Sequence, residues 1–127
     1  MSLDVGVQRG DEVDCMLSFE DDGYYWFLHP LFKKMHKSVG IYIDLYGDAE
    51  FKKDNIVHLE SLLKEAENMI SKEPSYWNVL TGIQTHPERK EIYCKVSKSE
   101  IENKLKILDF MVSEVKAANS KLVFLGD

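Results

Sequence analysis

The sequence holds few of the features that name a function on sight. It has only two cysteines in 127 residues, Cys15 and Cys94, and neither has a second Cys or His at metal-ligand spacing. Neither a zinc site nor a CxxC redox pair is therefore signalled. Both thiols sit in apolar, strand-like stretches and are expected to pack as small buried hydrophobes. No apolar run approaches the ~18 residues of a membrane span, and residues 1–10 lack the basic segment and apolar stretch of a secretory signal, so a cytoplasmic protein is expected. A GxSxG elbow, a GxxxxGK[ST] phosphate loop and a GxGxxG turn are all missing. Basic charge is in deficit, with 16 Lys and Arg against 22 Asp and Glu and a formal net charge of -6. Phosphate binding needs clustered cations, which argues against nucleic acid as a partner.

What is present points to one folded domain. With 44% hydrophobic and 30% charged residues, a chain of 127 residues can bury roughly two thirds of its unfolded surface without disulfide or metal. The negative charge is concentrated. Residues 11–22 carry Asp11, Glu12, Asp14, Glu20, Asp21 and Asp22 with no basic residue, and residues 23–127 are formally neutral.

Residues 1–10, with two glycines, read as a flexible tail outside a single domain of residues 11–127. Val13, Cys15, Leu17 and Phe19 alternate as one face of a first strand. The aromatic stretch that follows contains Pro30, so a helix is expected from about Pro30 to Lys37, with residues 24–28 an earlier turn and Gly40 the stop. Residues 41–46 alternate as a second strand, with Ile41, Ile43 and Leu45 on one face and Tyr42, Asp44 and Tyr46 on the other. Asp54 is placed to cap a helix whose apolar stripe is Ile56, Leu59, Leu63, Ala66 and Ile70. Residues 76–96 read as a hairpin turning at Pro87 and Glu88, with Val79 facing Val96 and Ile83 facing Ile92. Ser97 with Glu100 has capping-box spacing for a third helix with stripe Ile101, Leu105, Leu108, Met111 (or Val112) and Val115. Lys121–Leu125 is a last, buried strand. The order strand, helix, strand, helix, strand, strand, helix, strand predicts an α+β domain: a mixed sheet of about five strands with three helices mainly on one face.

Asp44 and Asp48, near the end of a strand beside Tyr42 and Tyr46, are the carboxylates that could hold a hard cation or act as a base, if a further ligand such as Glu50 or Asp127 converged on them. Otherwise Asp44 is expected to hydrogen-bond between the two tyrosines. His29, His36, His58 and His86 lack the spacing of a helical metal pair and are expected at surface or edge positions. Trp26, Phe27, Phe32 and Trp77 are expected in the core. Tyr24 and Tyr25, directly after Glu20, Asp21 and Asp22, have the aromatic and acidic composition of a protein-binding surface.

In size, in the acidic residues 11–22, in the aromatics Tyr24 to Phe27 and in the pair Asp44 and Asp48, the chain resembles bacterial immunity proteins that neutralise cognate toxins. That resemblance implies stoichiometric binding that blocks a basic cleft, without chemistry. The primary expectation is therefore a non-enzymatic, inhibitory interaction module needing no cofactor or metal. Its partner, a basic toxin domain for example, would meet Glu20, Asp21, Asp22, Tyr24, Tyr25, Tyr42, Asp44, Tyr46 and Asp48. Two alternatives stay open. One is a small-ligand or metal-dependent enzyme on Asp44 and Asp48, with His86. The other is a scaffold that homodimerises through an uncovered sheet edge or the face carrying Tyr42 and Tyr46.

Overall fold

In a computed structural model that describes residues 2–126, the elements run β1 (Ser2–Arg9), β2 (Glu12–Glu20), α1 (Gly23–Val39), β3 (Asp48–Phe51), α2 (Ile56–Ser71), β4 (Tyr76–Gln84), β5 (Lys90–Ser97), α3 (Lys98–Ala117) and β6 (Lys121–Leu125). The class is α+β. The strands form two antiparallel sheets, one four-stranded in the order β2-β1-β6-β3 and one two-stranded, β4-β5. A single mixed five-stranded sheet is thereby corrected. Helical crossovers favour parallel neighbours only when they join adjacent strands. Here α1 carries the chain from one edge strand to the other, and the segment through α2 leaves the sheet for the hairpin.

The supposed tail is the largest correction. Apart from Met1, which lies outside the described residues, and Gly10 in the turn that follows, it is the strand β1, flanked on both sides by β2 and β6. Leu3, Val5 and Val7 alternate inward and are at most 1% exposed. The two glycines are structural requirements of this strand. A Cβ on Gly6 would stand 2.6 Å from the Asp14 carbonyl oxygen, and Gly10 turns the chain into β2 at φ +63°.

The helices cover one face of the four-stranded sheet, where α3 contacts β1, β2 and β6 and α1 contacts β2. Leu3, Val5, Val7, Phe19, Phe51, Leu122 and Phe124 meet the predicted stripes of α2 and α3 in one core. Each such side chain contributes roughly 1.5–3 kcal/mol through burial. α1 runs unbroken through Pro30, which lies on its exposed side, where the carbonyl left without a donor can turn to water. Phe32 is buried, while Trp26, Phe27 and Trp77 lie half-buried against the core. α2 starts after Asn55 rather than Asp54, and Asn55 Oδ1 accepts from the Lys52 amide instead of capping the helix.

Residues 41–46 form no strand. Ile43 and Leu45 are buried as their alternation requires, but the segment forms no ladder and is held from its side, with the Tyr25 hydroxyl donating to the Ile43 carbonyl at 2.8 Å. Pairing with β6 begins only at Asp48. In β2 the alternation breaks at Met16. Val5 faces Leu17 but Gly6 faces Cys15, so the extra residue turns Cys15 out to solvent. Cys94, half-buried, lies in the other sheet, and both thiols are free. In the hairpin, Val79 faces Cys94 and Trp77 faces Val96, two residues from the predicted register, and a shift between Leu80 and Gly82 adjusts it toward the tip.

Candidate functional site

The fold separates the acidic residues 11–22. Arg9 and Val7 point toward the helices, so their partners Glu12 and Asp14 lie on the helix side of the edge strand β2. Arg9 reaches Glu114 of α3 at 3.1 Å. Asp22 caps α1, its Oδ1 accepting from the Tyr24 amide at 3.0 Å, and Asp21 Oδ1 accepts from the Trp26 indole nitrogen at 2.6 Å. These two carboxylates hold the start of a helix. Glu20 follows inward Phe19 and lies on the open face of the sheet, opposite Ser2.

The tyrosines also divide. Tyr25 is only 1% exposed and does not belong to any docking surface. Burial raises its pKa well above the ordinary tyrosine value. Tyr24 completes the start of α3: Ser97 Oγ accepts from the Glu100 amide, the Tyr24 hydroxyl accepts from the Ser97 amide at 3.1 Å and donates to the Glu100 carboxylate. A tyrosine thus replaces the direct return bond of a capping box. Desolvation, followed by its hydrogen bond to Glu100, raises the Tyr24 pKa. Tyr42 stacks on His36 at 5.0 Å, and its hydroxyl lies 2.8 Å from His29 Nε2. Tyr46 is exposed. The expected tyrosine face of Tyr42 and Tyr46 does not form, because the segment bends into a turn at Asp44.

Asp44 and Asp48 are engaged by backbone. Asp44 Oδ1 accepts from the Tyr46 amide at 3.2 Å, a local turn rather than a bond between two tyrosines, and Asp48 Oδ1 accepts from the Gly126 amide at 3.1 Å. Asp127 lies outside the described residues. His86 sits at the exposed tip of the hairpin, in the other sheet from Asp48. Among the described residues no three His, Cys, Asp or Glu side chains come together in a way that could hold a metal ion. An open groove of about 460 Å³ between α2 and α3 is lined by Glu67, Lys98, Glu102 and Lys106 around Ile70 and Leu105, and includes none of the candidate residues.

The continuous surface lies on the uncovered side of the four-stranded sheet. Ladder partners share a face, so the register defines three rows across it: Ser18, Asp4, Leu125 and Asp48; Cys15, Gly6, Val123 and Glu50; Val13, Gln8 and Lys121. Adjacent strands are about 4.8 Å apart, which separates Asp4 from Asp48 by roughly 10 Å. Glu20 lies diagonally beyond Asp4. Lys121 is the cation of these rows, and it is paired with Glu50 at 3.2 Å. Of the nine residues singled out from sequence, Glu20 and Asp48 belong to this face. Asp4 was missed because its strand read as a tail, although the alternation of Leu3, Val5 and Val7 would have turned it outward. Glu50 was considered only as a metal ligand.

Comparison with known protein families, with curated proteins and with solved structures finds no match. Among the described residues no helix is long and apolar enough to cross a membrane.

Proposed function

We propose that the protein is a non-enzymatic interaction module that binds a basic protein partner through the open face of its four-stranded sheet, in an inhibitory or immunity-like role. The observation that carries this reading is the make-up of that face: exposed Val13 and Cys15 and half-buried Leu125 lie among Asp4, Glu20, Asp48 and Glu50, with Val123 buried beneath them. An antiparallel sheet with one bare face is ordinary, and its bare face is usually polar throughout. Exposed apolar positions beside carboxylates instead supply contact area next to steering charge. The acidic residues on the helix side of β2 act only at longer range, and salt screens them over about 8 Å. No observation favours the metal-dependent alternative at Asp44 and Asp48.

The test is co-expression and binding with a basic toxin domain encoded beside this chain. Wild type is expected to bind it and suppress its toxicity. Asp4→Asn with Glu20→Gln, two exposed changes, is expected to slow association about tenfold at low salt and far less at high salt. Failure to bind any neighbour-encoded protein, or an association rate unmoved by the double variant, overturns the reading.

A further inference from the structure

Among the described residues four strands lie at sheet edges, two on each sheet, and three of them carry charges, which keep edges from pairing. β2 has Glu12, Asp14 and Glu20 and is bulged at Met16. β3 is four residues long, with Asp48 and Glu50. β5 has Lys90, Glu91 and Lys95. β4, YWNVLTGIQ, is nine residues long with no charge and no proline; like β2 it is bulged, at Thr81, so what sets it apart is the missing charge. In a two-stranded ladder every second residue of β4 turns its N–H and C=O away from its partner. The hairpin also concentrates exposed apolar side chains. Tyr76, Leu80, Ile83, Ile92 and Tyr93 are each more than 40% exposed, and Leu80 and Tyr93 are ladder partners on the side away from α1. A two-stranded ribbon is marginal without a third strand or a packed helix, and only the base of this one packs on α1, through Trp77 and Phe27 at 5.1 Å.

We propose that β4 pairs antiparallel with β4 of a second copy of this chain about a two-fold axis, making one four-stranded sheet of order β5-β4-β4-β5. Electrostatics select the occupant. A two-fold axis brings each side chain near it up to its own symmetry mate, so any charge there meets the same charge. β2 would oppose carboxylate to carboxylate, whereas β4 has nothing to repel. Two bodies of net charge -6 can approach closely only where the acidic excess is absent. That excess lies in residues 11–22, while residues 76–97 carry Arg89, Lys90 and Lys95 against Glu88 and Glu91. Pairing satisfies the outward backbone groups and sets the two copies of Leu80 side by side near the axis. This surface is independent of the acidic sheet face.

Sedimentation over a concentration series tests the pairing, with wild type expected to pass from monomer to dimer. Leu80→Lys and Leu80→Glu, each at an exposed position, are each expected to weaken the dimer about tenfold or more. An equimolar mixture of the two variants is expected to restore it, which a misfolded variant could not do. Ile92→Lys, on β5, and Asp4→Asn with Glu20→Gln, on the sheet face, are expected to leave it within about twofold, since none touches the β4 edge. A wild type that stays monomeric, a Leu80→Lys dimer as tight as wild type, mixing without recovery, or an Ile92→Lys loss equal to that of Leu80→Lys overturns the proposal.

Discussion

The two sheets of this molecule are made of similar strands and have opposite circumstances. β1 and β4, eight and nine residues long, both alternate apolar and smaller or polar positions. In β1 the alternation is turned into burial, because α3 lies across the sheet and flanking strands occupy both sides; Leu3 and Val5 are fully buried. In the hairpin only Val96, near its base, is buried, and Ile83 and Ile92 remain 48% and 44% exposed. Alternation therefore specifies which side chains share a face. Whether that face is dry depends on what the rest of the chain, or another chain, lays over it.

The largest effect expected from this contrast is between a buried and an exposed apolar side chain of equal standing in the sequence pattern. Phe124→Ala, at a position 1% exposed and packed on Phe51 at 5.8 Å, is expected to cost about 3–5 kcal/mol in denaturant unfolding. Ile83→Ala is expected to stay within about 0.5 kcal/mol at concentrations where the monomer dominates. Comparable losses would mean that the hairpin is covered within the monomer. Glycine sharpens the same contrast on a smaller scale. At Gly6 an added Cβ meets backbone, 2.6 Å from the Asp14 oxygen and 2.9 Å from the Cys15 Cα, whereas at Gly82 nothing lies within 4 Å. Gly6→Ala is expected to destabilise by about 1–3 kcal/mol. Gly82→Ala should be neutral or stabilise by up to about 1 kcal/mol, through a less flexible unfolded chain. If both substitutions proved neutral, the bulge at Met16 would not be holding β1 and β2 in close approach.

The helices were legible in their stripes more than in their starts: Pro30 hid the first turns of α1, and α2 begins after Asn55 rather than at Asp54. The stripes of α2 and α3, and the Ser97 cap, depend on neighbours three or four residues away. The sheet was legible as a set of apolar stretches and not as an arrangement. Nothing local says that β6 inserts between β1 and β3, or that residues 41–46, with cleaner alternation than β3, forgo the ladder. Bulges hid two further facts. One extra residue at Met16 exposed Cys15, and the shift beside Thr81 moved the hairpin register. The candidate surface was half legible for a related reason. A run of six carboxylates in sequence reads as one patch, but a strand sends neighbours to opposite faces and a helix start consumes two of them, Asp22 as its cap and Asp21 on the Trp26 indole. The carboxylates that do share a face, Asp4, Glu20, Asp48 and Glu50, come from three strands, β1 and β2 at the start of the chain and β3 beyond α1.

The smallest expected effect concerns the contact that holds residues 41–46 beside α1, and it sharpens the comparison by loosening the covered region alone. His29 is partly buried, with Nε2 2.8 Å from the Tyr42 hydroxyl. A neutral imidazole can accept the hydroxyl proton, and an imidazolium cannot. Burial first, and the neighbouring Lys33 second, lower the His29 pKa, partly offset by Asp44. The unfolded chain thus takes up this proton at the ordinary value of about 6.5 while the folded chain still does not. The stability that His29 contributes is complete above that pH, declines as pH falls through the window, and stops declining below the folded pKa. Thermal unfolding between about pH 7.5 and pH 5 should show this slope in wild type and a shallower one in His29→Gln. Amide exchange should locate the acid-induced loosening in α1 and residues 41–46, leaving the hairpin tip unchanged. Equal slopes in the two proteins, or loosening at the tip, would show that the imidazole does not couple this segment to the helix layer.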